Sequence, residues 1–335
     1  MTKKVKIKKL LKSRPRRLRQ TASIRSLVQE TDLLPRHLIL PLFITDGKAS
    51  DIASMPGVSR LTLDGLLKTA EKAHKLGIPG IALFPHIHDS KKDSYAAESA
   101  NEKGFLQNCV RKLKNELPEL TIITDVAMDP YSTDGHDGVV KQIGKNAIID
   151  NDETLPILAR MAISQAAAGA DFVAPSDMMD GRIGYIRDAL DENGFENVGI
   201  IAYSAKYSSG FYGPFRDALD SAPRFGDKKT YQMNPTNQLE ALREVRLDIK
   251  EGADIVMVKP ALSYLDVIAK VKAISSVPVA AYNVSGEYSM VKVAAKAGLI
   301  DEKKVTLEIL GSIRRAGADM ILTYHALEAA GWLKP

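Results

Sequence analysis

The sequence predicts an α/β protein of the (β/α)8 TIM-barrel class with an extended N-terminal arm, and three observations predict it. First, eight short apolar runs recur: LILPLFI (38–44), GIALF (80–84), TIITDVAM (121–128), FVAPSD (172–177), GIIAYSA (199–205), IVMVKP (255–260), VPVAAYN (277–283) and MILTYHA (320–326). They are rich in Val and Ile and do not alternate, as expected of strands buried on both faces. Second, helical patterns such as LTLDGLLKTAEKAHKLG and NQLEALREVRLDIKEG lie between the runs. Eight strands alternating with helices is the count of a closed barrel. Third, AAGADFVAPSD, KEGADIVMVKP and RAGADMILTYH repeat a helix end, a Gly-Ala-Asp turn and a strand. Glycine at a helix C-terminus tolerates left-handed backbone. A doubly wound sheet fits less well, because no Gly-rich phosphate fingerprint follows an early strand.

The first element is the arm, expected over 1–36, with the barrel over 37–335. Residues 1–25 hold eleven of the 46 Lys and Arg residues and no acid, which leaves 35 basic against 41 acidic residues in the rest. The basic character therefore belongs to the tail. It could meet nucleic acid, but it has no aromatics to stack on bases. Ile24, Leu27 and Val28 are interleaved as in an arm that packs on a neighbouring subunit. Self-association, no nucleic acid and no membrane are expected. No apolar run approaches the ~18 residues of a membrane helix, and the N-terminus lacks the apolar core of a secretory signal. A cytoplasmic location is expected. The single cysteine, Cys109, excludes an internal disulfide framework and reads as helix packing.

Two segments interrupt the rhythm. Residues 128–154 follow the third strand with turn residues and carboxylates, and 207–237 follow the fifth with Gly, Pro, aromatics, Arg216, Lys228 and Lys229. The second has the composition of an active-site lid.

The chemistry lies at two strand ends. Lys259 closes IVMV before Pro260, and Lys206 closes GIIAYSA. A lysine ending an apolar strand either snorkels to the rim or is held dry, so that its amine is neutral and nucleophilic. Neighbouring barrel strands lie about 4.8 Å apart. Two such ammonium groups would repel, lowering their pKa and suiting one or both for Schiff-base formation with a ketone. Other lysine-dependent barrels, class I aldolases among them, and a non-enzymatic RNA-binding protein using the basic tail are the alternative readings.

SAKYSSGFYGPFRDA, TYQMNP, EGADIVMVKPALSYLD, YNVSGEYSM, DVAMDPYSTDGHDG and the N-terminal RRLRQTASIRSLVQET resemble the porphobilinogen synthase (5-aminolevulinate dehydratase) family over nearly the whole chain. The resemblance implies a lyase of tetrapyrrole biosynthesis. It condenses two molecules of 5-aminolevulinate to porphobilinogen with loss of two waters. It implies that Lys259 forms a Schiff base with the propionate-side substrate and Lys206 with the acetate-side one. Ser285 and Tyr324 would hold the first substrate's carboxylate; Arg216, Lys228 and Gln232 would hold the second, with Lys229 an alternative to Lys228. Asp125 would relay protons or stabilise an iminium, or else accept backbone bonds in its loop. Many members carry three cysteines in the loop after the third strand; here those positions are Ala127, Asp129 and Asp137. Zinc of the cysteine type is thereby excluded. Asp129 and Asp137 could hold Mg²⁺ or only shape turns. Glu244 matches a family glutamate that binds an activating Mg²⁺, and the family points to an allosteric homo-octamer of arm-exchanging dimers.

Overall fold

The computed structural model describes residues 13–143 and 146–334. Of the described residues, those up to Asp32 and those from Leu33 onward form two separate compact units. In the first, Pro15–Arg19 is a 3-10 helix and Ala22–Leu27 a short α-helix. Thr21 caps the latter, its Oγ1 accepting from the Ile24 N–H at 3.1 Å. Leu18, Leu27 and Val28 are exposed. Residues 1–12 of the expected arm lie outside the described residues.

The second unit is a closed parallel barrel. Its strands are β1 (Leu38–Thr45), β2 (Gly80–His86), β3 (Thr121–Val126), β4 (Phe172–Pro175), β5 (Gly199–Lys206), β6 (Ile255–Lys259), β7 (Val279–Asn283) and β8 (Met320–Thr323). Each pairs with its sequence neighbours, and β8 returns to β1 through Leu38↔Ile321 and Ile39↔Leu322. All eight expected apolar runs carry a barrel strand. The helices that cross back outside are α1 (Leu63–Lys75), α2 (Phe105–Glu116), α3 (Asn151–Ala167), α4 (Arg182–Glu192), α5 (Leu239–Lys250), α6 (Leu265–Ile274), α7 (Ser285–Lys296), α8 (Glu302–Ala316) and α9 (Ala326–Leu333). Their buried faces follow helical spacing: Leu66, Ala70 and Ala73 in α1; Leu106, Cys109, Val110 and Leu113 in α2.

Two apolar clusters follow from strand alternation. Val256, Val258, Ala202 and Ile200 belong to the cluster that also contains the helix residues Leu66, Val110 and Val245. Ile255, Met257, Ile201 and Tyr203 form the barrel interior with Phe43, Phe84, Tyr282 and Tyr324.

The Gly-Ala-Asp repeat has a physical basis. Gly169, Gly252 and Gly317 have φ of 102°, 105° and 118°, the left-handed region that glycine enters without strain. Two residues on, Asp171, Asp254 and Asp319 each accept an N–H at the start of the preceding strand: Ile122 at 2.8 Å, Ile200 at 2.7 Å and Val279 at 2.8 Å. The turn ends the helix and its carboxylate sets the strand register.

Two features were not read from the sequence. Val139–Ile143 and Asn146–Asp150 form an antiparallel hairpin inside the segment after β3. A short ribbon of Ser50–Asp51 and Ser59–Leu61 lies beside β1.

Candidate active site

The carboxyl ends of β5 and β6 bring the two lysines together. Lys206 and Lys259 are direct register partners, and both are buried. They reach the interior by different routes. In β6, Ile255, Met257 and Lys259 alternate inward. In β5, Ile201 and Tyr203 point inward, so strict alternation would send Lys206 outward. The ladder slips there: Val256 pairs with Ala202 but Val258 with Ala205. One extra β5 residue is accommodated as a bulge, which turns Lys206 back to the inside.

Lys259 stands in an aromatic box. Its Nζ lies 4.7 Å from the ring centre of Tyr282, 4.9 Å from Phe215, 5.0 Å from Tyr203 and 5.2 Å from Tyr212. Burial, and then the Lys206 charge, bring its pKa from 10.5 down to about 7. That fall corresponds to about 5 kcal/mol against the charged form. Ring faces attract the ammonium in turn, by about 2 kcal/mol or more when it is desolvated, which opposes part of that fall; with the pKa at about 7 the amine is available at neutral pH. The Lys259 carbonyl is held by the Tyr212 hydroxyl at 3.2 Å and the Tyr207 N–H at 3.0 Å. Lys206 has a different setting. Its ammonium donates to the Ser176 carbonyl and lies 3.9 Å from Asp137 Oδ2.

Asp125 is the penultimate residue of β3 and feels the charge of both lysines. Burial pushes its carboxyl up to about 7, while Lys259 and Lys206 pull it down. Its Oδ1 has no hydrogen-bond partner among the described residues, so the backbone-capping alternative does not account for that oxygen.

Asp129 and Asp137 close on Lys228. The buried Lys228 Nζ donates to Asp129 Oδ2 and Asp137 Oδ2, each at 3.0 Å. Burial raises the Asp129 carboxyl, with the neighbouring Asp137 charge acting the same way. For Asp137, burial also raises, but Lys206 and Lys228 outweigh it and hold the carboxyl at about 2. A lysine ammonium thus occupies the position between these carboxylates where a cation would sit. Lys229 is exposed and pairs with Asp227 at 2.9 Å.

The segment after β5 folds over the mouth through a helix, Gly213–Leu219. Phe215 packs on Phe43 and Phe84, with ring centres 5.5 and 5.3 Å away. Its N–H donates to Ser285 Oγ at 3.0 Å, and that hydroxyl donates to the Phe211 carbonyl at 3.3 Å. Tyr324 shares a hydrogen bond with Tyr282 at 2.9 Å and stacks on Phe43. Arg216 is half-buried on the same helix. Gln232 is buried, with its Oε1 unpartnered among the described residues. The far end of the segment is pinned by buried His136, whose Nδ1 lies 3.1 Å from the Tyr231 hydroxyl and whose Nε2 lies 3.0 Å from the Phe225 carbonyl. The sequence reading missed this pin and the aromatic box; an interior-parity count on β5 and β7 is the signal that could have found Tyr203 and Tyr282.

Glu244 lies apart from this mouth. It is half-buried on α5 and lines a cavity of about 410 Å³ with Glu240, Asp180, Asn151 and Tyr231. Burial and then Asp248 raise its carboxyl above the usual range, while the Arg182 charge draws it down. That donor set fits a hard cation. A second group, Glu302, His325 and Glu328, has ligand atoms within 4.8 Å of one another. There the Lys292 ammonium already bonds Glu302 at 2.5 Å and Glu328 at 2.6 Å.

Comparisons with known proteins agree with this geometry. The family model for delta-aminolevulinic acid dehydratase matches residues 12–332. The chloroplastic delta-aminolevulinic acid dehydratase of Physcomitrium patens is 55% identical over 326 residues, 97% of this chain and 75% of that protein. The Synechocystis enzyme is 52% identical over 323 residues, 96% of this chain and 98% of that protein. A crystal structure of the Toxoplasma gondii enzyme with its product porphobilinogen superposes with a TM-score of 0.94 at 51% identity, over 96% of this chain and 92% of that one. The cytoplasmic location expected from the sequence is corrected here. The relatives from Physcomitrium patens, Selaginella martensii and Arabidopsis thaliana are named chloroplastic, which points to a plastid. The expectation rested on the lack of a secretory core, a criterion blind to plastid import. By sequence, fold and the paired lysines, the chain belongs to the delta-aminolevulinic acid dehydratase family.

Proposed function

We infer that this chain is a porphobilinogen synthase, a hydro-lyase of tetrapyrrole biosynthesis that condenses two 5-aminolevulinates. One carbon–carbon and one carbon–nitrogen bond form, two carbonyl oxygens leave as water, and both lysine amines are regenerated. The observation that carries this reading is the register pair Lys206–Lys259 in one buried mouth, with Lys259 brought down to about 7. Nothing in the site favours an aldolase or an RNA-binding protein.

The residue roles follow as parts of the proposal. Lys259, uncharged in its aromatic box, attacks the ketone of the propionate-side substrate. Ser285 and Tyr324 flank it and bind that substrate's carboxylate. Lys206 takes the second substrate, whose carboxylate meets Arg216, Gln232 and Lys228. Lys228 is preferred to Lys229 because it is buried and shares Asp137 with Lys206, whereas Lys229 faces solvent. It would exchange an aspartate for the substrate carboxylate. Asp125, near 7, alternates between proton acceptor and donor.

Glu244 is the proposed ligand of an activating Mg²⁺, with Asp180 and Glu240 in the same cavity. The Mg²⁺ would be held by these carboxylates as a hard cation. The N-terminal arm, residues 1–36, is proposed to build an allosteric homo-octamer by packing on a neighbouring subunit, its exposed Leu18, Leu27 and Val28 supporting that use. The test is a pyrrole colour assay on 5-aminolevulinate with and without Mg²⁺. Pyrrole should form in both conditions and faster with Mg²⁺; no pyrrole in either would refute the reading.

A further inference from the structure

Three strand ends carry Lys259, Ser285 and Tyr324, and one buried carboxylate ties their loops together. Glu287 lies in the first turn of α7 and is 1% exposed. Its Oε1 accepts the Leu262 N–H at 2.8 Å, three residues after Lys259. Its Oε2 accepts the Val284 N–H and the Asn283 side-chain amide, each at 3.0 Å. The Ser263 N–H also donates to it. The chain of bonds continues to β8: Thr323 Oγ1 donates to Asn283 Oδ1 at 2.9 Å and accepts the His325 N–H at 3.2 Å.

A glutamate at this helix position ordinarily reaches back only to the N-cap N–H. Here the same carboxylate crosses to the loop of another strand. Every group bonded to it is an N–H donor; burial pushes the carboxyl up to about 7 and these donors draw it down, and an ionised carboxylate satisfies all of them where an amide cannot. We propose that Glu287 is a positioning residue for the first substrate, fixing the segment after Lys259 against the segment that opens with Ser285. The Schiff-base amine and the carboxylate-binding hydroxyl thereby keep one spacing. This rests on the reading that Lys259 and Ser285 hold the same substrate.

The test traps each lysine separately. Levulinate has the ketone and carboxylate but no amine, so it can form a Schiff base without condensing. The full-length protein is incubated with levulinate, reduced with borohydride, and mapped by peptide mass. In Glu287→Gln, the ratio of Lys259 to Lys206 adduct should fall about tenfold or more from the wild-type ratio, since misplacement of about 1 Å costs on the order of a hundredfold. Asn283→Ala leaves the cap intact and cuts the link to β8; its ratio should fall less, by about threefold. It decides the matter if Glu287→Gln does not fold. A general structural role would lower both adducts together and leave the ratio unchanged, and either variant folding with an unchanged ratio overturns the proposal. No adduct on Lys259 in the wild type overturns the Schiff-base reading itself, and this proposal with it.

Discussion

Lys259 and Lys206 share a pocket but not an environment. Lys259 has four rings about its Nζ, and no carboxylate or carbonyl is bonded to it among the described residues. Lys206 keeps the Ser176 carbonyl and Asp137. The first is therefore the better nucleophile at rest. Lys259→Ala should lower kcat by at least roughly a thousandfold in the pyrrole assay, as loss of a covalent nucleophile does; retention of a tenth of the activity would contradict its role. Arg216→Ala should chiefly raise KM, by about tenfold or more, because a charge-assisted contact to a carboxylate contributes about 1.5–3 kcal/mol. At this scale the sequence was legible where the backbone is regular. Lys259 could be placed from its strand alone. The inward turn of Lys206 could not, because a bulge depends on pairing with β6 and leaves no mark in β5 itself. The grip of Asp129 and Asp137 on Lys228 was equally hidden, since it joins residues about 90 to 100 positions apart.

Among the elements, the Gly-Ala-Asp turns were visible as a repeat, but the role of their aspartates was not. Each bonds the N–H of a strand far away in sequence. Asp254→Ala should lower unfolding stability by about 2 kcal/mol, read from the denaturant midpoint, because the Ile200 N–H loses a charged acceptor. An unchanged midpoint would show that water replaces the carboxylate. The loop after β3 was read as turns and carboxylates, yet holds a hairpin. Its strands VVKQI and NAIID are short, and Lys and Gln interrupt the first, so their pattern was masked by the surrounding turn residues. Asp137→Ala should destabilise the protein by about 3 kcal/mol, since it leaves the buried Lys228 charge with one partner fewer. Because Asp137 is held at about 2, below its ordinary 3.8, its stabilising contribution is complete above about pH 4 and fades as pH falls toward 2.

For the whole molecule, the barrel was legible because each strand is a compact apolar run buried on both faces, and because parallel strands need long crossovers, which here read as helices. Charge distribution set residues 1–25 apart from the rest of the sequence. Compartment was misread, since the absence of a secretory core does not bear on plastid location. Removing residues 1–32 should reduce the assembly to smaller species in sedimentation while leaving a folded barrel; an unchanged sedimentation coefficient would exclude the arm from assembly. Glu244→Ala should abolish the rate increase on adding Mg²⁺ and leave the metal-free rate unchanged. Undiminished activation would move the metal elsewhere.

The account depends most on an amine at the end of β6 that is neutral at physiological pH. The direct measurement is the yield of levulinate reduced onto Lys259 as a function of pH, quantified by peptide mass. Burial and the Lys206 charge lower the Lys259 pKa, so the free amine, and with it the yield, should rise through a midpoint at about 7. A midpoint near 10, the value of a solvated lysine, would contradict the account.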